Sequence, residues 1–196
     1  MRWKIAAGVA AMALGLVACT PDFAAQDQSS VFLRIVKTTG QPGAGADTTE
    51  SDFLLSDVNF KGGIFNDNMF LQLEVIPKNP SLVLGTFNDV FVQRYGVVYR
   101  RSDGRNTEGI DVPYAISGPM SALIRAGGTP QKVGLLVVRH QAKSEPPLVN
   151  LTFGGGAQVL TVIAEITVHG TTTSGKAVQA VGFLQISFAD FGDSTT

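Results

Sequence analysis

Two stretches near the C-terminus constrain the fold more than any other part of the chain. In the first, Leu160, Val162, Ala164, Ile166 and Val168 share one parity while Thr161, Glu165, Thr167 and His169 take the other. In the second, Val178, Ala180, Gly182, Leu184, Ile186 and Phe188 lie on one side with Gln179 and Gln185 opposite. Successive side chains of a strand point to opposite faces, so a sustained period of two specifies half-buried strands; a helix would scatter the same apolar positions around its circumference. The intervening Gly170-Thr171-Thr172-Thr173-Ser174-Gly175 reads as a turn, which makes the pair a long hairpin. At about 3.3 Å per residue each arm approaches ~40 Å, longer than ordinary strands, so a bend or bulge is expected, with Gly182 as its place.

The same period recurs upstream. Strands are expected over 31–38, 53–60, 69–76, 89–101, 110–116, 132–140, 147–153, 158–169 and 176–188, separated by turn residues, with every proline after the leader except Pro113 between these runs or at their edges. The Gly-rich, acidic stretch Thr39 to Ser51 reads as a mobile surface loop. Pro119 to Ala126 reads as one short helical turn, opened by proline, with Leu123 and Ile124 inward and Gly127 closing it. With 22 glycines and only 16% charged residues, the composition favours short strands and turns over long solvated helices. The expected class is all-β, an antiparallel immunoglobulin-like β-sandwich over residues 31–193, followed by a disordered tail at 194–196. A transmembrane barrel is disfavoured, because several runs are apolar on both faces.

The N-terminus is of a different kind. Arg2 and Lys4 precede an uncharged apolar run from Ile5 to Val17. That run is too short for a membrane-spanning helix, which needs about 20 residues, and fits the cleavable core of a signal peptide over residues 1–18. It ends at Leu16-Val17-Ala18-Cys19, and Cys19 is the sole cysteine of the chain. This stretch resembles the lipobox of bacterial lipoproteins, whose cysteine is lipidated and becomes the mature N-terminus. The resemblance, which covers only the leader, implies lipidation at Cys19 and anchoring to a membrane of the bacterial cell envelope. By likeness to enteric sorting, Thr20 after the cysteine implies the outer membrane. Without lipidation, the same leader would be an ordinary secretory signal. Residues 19–30 then form a tether, polar and without a period, whose residues 20–30 reach at most ~36 Å beyond the anchor.

Charge and cysteine content narrow the function. The chain has 15 basic and 16 acidic residues, and the leader takes Arg2 and Lys4 with it, so the remainder is mildly acidic and offers no field for nucleic acid. With no second cysteine there is no disulfide and no thiol set for zinc.

Several motifs dissolve on inspection. Gly170 to Lys176 spells a phosphate-loop pattern, but Ala177 stands where a hydroxyl must hold magnesium and a strand follows where a helix is required. Asp190-Phe191-Gly192 lacks the companion motifs of a kinase. His140 and His169 have no paired metal-ligand spacing, and no GxSxG elbow nominates a nucleophile. Asn66-Asp67-Asn68 and Asp190 to Asp193 carry oxygen ligands that suit calcium, yet their spacing matches turns that bond to themselves. No catalytic set, metal or cofactor is therefore expected.

One cluster stands out. Tyr95, Tyr99 and Arg101 share parity on a strand, with Arg100 and Arg105 nearby; aromatic and guanidinium groups together can stack on sugars or grip anions, although alternate tyrosines also serve as ordinary sheet residues. The expected role is a non-enzymatic envelope lipoprotein that binds a protein partner. A carbohydrate-binding or adhesive module taking a glycan, and an envelope hydrolase, are the alternatives.

Overall fold

A computed structural model describes residues 28–44, 48–154 and 157–191. The leader, Cys19, most of the tether and the tail from residue 192 onward lie outside the described residues.

The C-terminal hairpin forms as its alternation dictates. Strands β7 (Leu160–Thr172) and β8 (Ala177–Ala189) pair antiparallel from Leu160 opposite Phe188 to Thr171 opposite Ala177. The turn between them closes with Thr172 N–H donating to Lys176 O and Gly175 N–H to Thr172 O, each at 2.8 Å, and Gly175 supplies the positive φ the turn needs. The expected irregularity at Gly182 is absent, since the register runs through it unbroken. Gly182 serves close approach instead. A Cβ there would lie 2.9 Å from Ile35 Cδ1 and 3.2 Å from Thr38 Cγ2, so its absence lets β1 (Val31–Gln41) cross close to the hairpin.

Around this hairpin the chain builds two sheets. One has three strands in the order β1, β3 (Asp67–Pro77), β6 (Gln131–Val138), all antiparallel. The other has five, in the order β2 (Phe53–Asp57), β8, β7, β4 (Val90–Arg100), β5 (Ile116–Ile124), and curls into a half-barrel. The all-β class holds. The purely antiparallel arrangement does not, because β2 pairs with β8 in parallel, from Phe53 opposite Gln185 to Asp57 opposite Ala189. A two-faced apolar strand can be sandwiched between neighbours in either direction, and alternation says nothing about direction.

Apolar residues of both sheets meet in one core. Leu54, Met69, Leu71, Leu73, Val97, Ile166 and Ile186 are fully buried there, and burying side chains of this size contributes about 1.5–3 kcal/mol each. Tyr99 joins them.

Four expected elements differ. Residues 110–116 do not form a strand; Val112 is buried in a tight turn in which Thr107 O accepts from the Asp111 and Val112 N–H groups. Pro119 to Ala126 is not a helical turn, because residues up to Ile124 belong to β5. Pro119 therefore lies inside a strand, where it is tolerated because β5 is the sheet's edge and pairs only with β4. Residues 147–153 are a 3-10 turn, Leu148–Leu151, which follows a short helix α1 (His140–Lys143). Leu148 and Leu151 are still buried, so the apolar signal was right and its period misleading. Thr39, Gly40 and Gln41, expected in the loop, continue β1.

Candidate functional site

The tyrosine and arginine cluster does not assemble into a binding surface. Tyr99 is 2% exposed, and its hydroxyl donates to Val137 O at 2.6 Å across the two sheets. Burial pushes its phenol well above the ordinary range. Tyr95 faces the same interior, its ring lying where a Cβ on Gly118 would stand. Both share parity with Val97, which is wholly buried, and a strand face packed on the core takes all its members with it. Arg101 is occupied as well. Its Nη2 lies 2.6 Å and its Nε 3.0 Å from the two Asp103 carboxylate oxygens, which also accept from Arg105 Nε at 3.1 Å. These guanidinium hydrogen bonds, that of Arg101 first, hold the Asp103 carboxyl well below the usual aspartate range. Arg100 pairs with Glu165 at 2.8 Å.

The oxygen clusters are likewise engaged within the fold. Asn66 Oδ1 accepts from the His140 N–H at 2.6 Å and lies 3.0 Å from His140 Nδ1. Asp190 Oδ2 accepts from the Phe153 N–H at 2.6 Å, while Asp193 lies outside the described residues.

Asp67 anchors a polar network that the sequence does not announce. Its Oδ2 lies 2.9 Å from Lys143 Nζ, with the two side chains 0% and 1% exposed. Ser56 Oγ donates to the same oxygen at 2.6 Å, and the Gly43 N–H donates to Oδ1 at 2.9 Å. Lys143 Nζ also donates to Asp57 O at 2.8 Å. One ion pair thus ties β2 of the five-stranded sheet, β3 of the three-stranded sheet and α1 together. Nothing in this network is open to a ligand, so its role is to fix the fold.

The polar feature that does face solvent lies on β4. The apolar positions of this strand switch parity, from Val90 and Val92 to Tyr95, Val97 and Tyr99, and the register breaks between Val92 and Arg94. The resulting bulge turns two consecutive side chains, Gln93 and Arg94, to the outer face. Gly170 makes this geometry feasible, since a Cβ there would lie 2.9 Å from Phe91 O and 2.8 Å from Val90 Cγ1. Arg94 stands opposite His169, which stands opposite Gln179, so the three form a row across β4, β7 and β8. Two hollows flank Arg94, of about 130 Å³ toward Thr171 and Gln179 and about 460 Å³ toward Tyr95, Ser117 and Pro119. The parity switch is visible in the sequence and could have located this site. The row across three strands could not be read before the register was known.

Elsewhere on the surface, Phe53 and Leu55 on the edge strand β2 are about half exposed, as are Val181 and Phe183 on β8. Among the described residues no group of three or more His, Cys, Asp or Glu is placed to hold a metal ion.

No protein-family model and no curated protein matches the chain. Among solved structures, the X-ray structure of Northeast Structural Genomics Consortium target SoR45 aligns over 82% of this chain and 86% of its own, at 12% identity and a TM-score of 0.36. That likeness is too distant to carry an argument about fold or function.

Proposed function

We propose that the chain is a bacterial envelope lipoprotein, anchored through Cys19 and placed at the outer membrane, whose β domain is a non-enzymatic module that binds another envelope protein. The observation that carries this reading is the leader: a basic start, a short apolar run and the only cysteine of the chain at its end. Two or three acyl chains on one residue hold a protein durably, at ~0.8 kcal/mol per buried CH₂.

Two features of the domain support the interaction role. Among the described residues the core side chains are almost wholly buried, and the two hollows beside Arg94 lie at the surface. The edge strand β2 carries Phe53 and Leu55 toward solvent beside Phe183 of β8, and a short apolar edge of this kind is where another chain can add its own strand. Within the all-β class we assign an immunoglobulin-like sandwich, from which the parallel β2–β8 pair departs; an experimental structure whose sheets close into a continuous barrel would refute that assignment.

Intact mass of the membrane-extracted protein tests the anchor. Wild type should begin at Cys19 with acyl mass added, and Cys19→Ala should lose that mass and leave the membrane fraction; an unmodified chain with another N-terminus overturns the assignment. Crosslinking in native membranes should capture one reproducible protein partner, with capture lost in Phe53→Ser/Leu55→Ser. Background capture alone, across several reagents, refutes the interaction role.

A further inference from the structure

The groove on either side of Arg94 is lined by one guanidinium with amide, imidazole and hydroxyl side chains. Gln93, Arg94 and His169 line both of its hollows, with Thr171 and Gln179 on one side and Ser117 and Pro119 on the other. No acidic residue lines either hollow. Glu165, the carboxylate on the neighbouring part of the same face, is committed to Arg100. Among the described residues Arg94, Arg125 and Arg139 form no ion pair, whereas Arg34, Arg100, Arg101 and Arg105 each form one. His169 and Gln179 each already have an interaction of their own. Arg94 and Gln93 are the groups thrust outward by the bulge.

We propose that this groove binds an acidic sugar, with the Arg94 guanidinium holding its carboxylate or phosphate and the Gln93 amide and the Ser117 and Thr171 hydroxyls meeting its hydroxyls. A guanidinium presents paired donors that match a carboxylate or phosphate oxygen pair, and such charge-assisted bonds are about twice as strong as neutral ones. Amide and hydroxyl side chains both donate and accept, as a hydroxyl-rich ligand requires. The larger hollow, about 460 Å³, has the size of a small-ligand site. Nucleic acid fits less well, because a single unpaired cation does not track a phosphate backbone. The site is independent of the anchor and of the β2 edge.

Calorimetric titration of the full chain tests it with three probes: trigalacturonate, its methyl ester and glucose 6-phosphate. The proposal expects saturable binding of at least one of the two acidic probes. Preference for trigalacturonate assigns a carboxylate sugar, and preference for the phosphate ester assigns a phosphosugar. Arg94→Gln should weaken binding by about tenfold or more, the loss expected of one charge-assisted contact, and the methyl ester should bind trigalacturonate's site at least as much more weakly. Arg125→Gln, which removes an exposed arginine outside the groove, should leave binding unchanged. The proposal is overturned if neither acidic probe binds, if trigalacturonate binds and its methyl ester binds as tightly, if Arg94→Gln has no effect, or if Arg125→Gln weakens binding equally.

Discussion

Replacing Lys143 by methionine should destabilise the domain more than any other change of similar size. The lysine is 2% exposed, and its ammonium lies 2.9 Å from a carboxylate that is itself wholly buried. Methionine fills most of the volume but leaves the Asp67 charge without its counterion, supported only by the Ser56 hydroxyl and the Gly43 N–H. Breaking a buried pair from one side costs about 3–5 kcal/mol, and the Asp57 carbonyl loses its donor for roughly 1 kcal/mol more. Against a total stability of about 5–15 kcal/mol this is a large fraction. In urea denaturation followed by far-UV circular dichroism, the midpoint should fall by roughly 2 M with an unchanged slope, given slopes of about 1–3 kcal/mol/M. Asp67→Asn should behave similarly, because it strands the ammonium. The double variant should be less destabilised than the sum of the two singles by at least ~1 kcal/mol, since once one charge is gone the other is a liability. A loss below about 1 kcal/mol for either single variant, or strict additivity in the double, would refute the view that this pair locks the two sheets together.

Three other outcomes follow from the geometry. Gly170→Ala should cost about 1–3 kcal/mol in the same assay, because its Cβ would meet the Phe91 carbonyl and Val90 at under 3 Å and the backbone must shift; a neutral result removes the glycine's part in shaping the bulge. Tyr99→Phe should cost about 0.5–1.5 kcal/mol through loss of the bond to Val137 O while leaving sugar binding intact; a change in binding with stability unaltered would place Tyr99 at a ligand after all. Asp103, whose carboxyl is held down by Arg101 and Arg105, should titrate by carboxyl NMR below an ordinary aspartate, and Arg101→Gln should move it back up. Because its folded pKa is depressed, its contribution to stability is present above the unfolded aspartate value of about 4 and is lost as pH falls through the folded one; an unshifted Asp103 refutes the pairing.

How far the sequence could be read depended on whether a residue's environment was set by its near neighbours. β7 and β8 were legible from Leu160 to Phe188 because their alternation is enforced by a core on one side and solvent on the other. Pro119 misled, since its preference for the first turn of a helix and its tolerance on a sheet edge look identical until β5 is known to lie outside β4. Leu148 and Leu151 fit strand and tight helical turn equally well over so few residues. The alternate spacing of Tyr95 and Tyr99 suits an exposed face as well as a buried one, and Val97 between them, which shares their parity, marks theirs as the inner face. Lys143 carried no signal at all, because a buried lysine is explained only by a partner far away in sequence, and no local pattern reports Asp67.

The parallel pairing of β2 with β8 also bears on how the molecule is made. The five residues of β2 find their place only beside the strand that ends at Ala189, so the two are brought together across most of the chain. Contacts of such long range are slow to form, because loop-closure entropy must be overcome before they contribute anything. A chain emerging N-terminus first would hold Leu54 and Ser56 unpaired until β8 arrived. This edge of the five-stranded sheet is therefore sealed late, and until then its unpaired backbone groups are open to pairing with another chain.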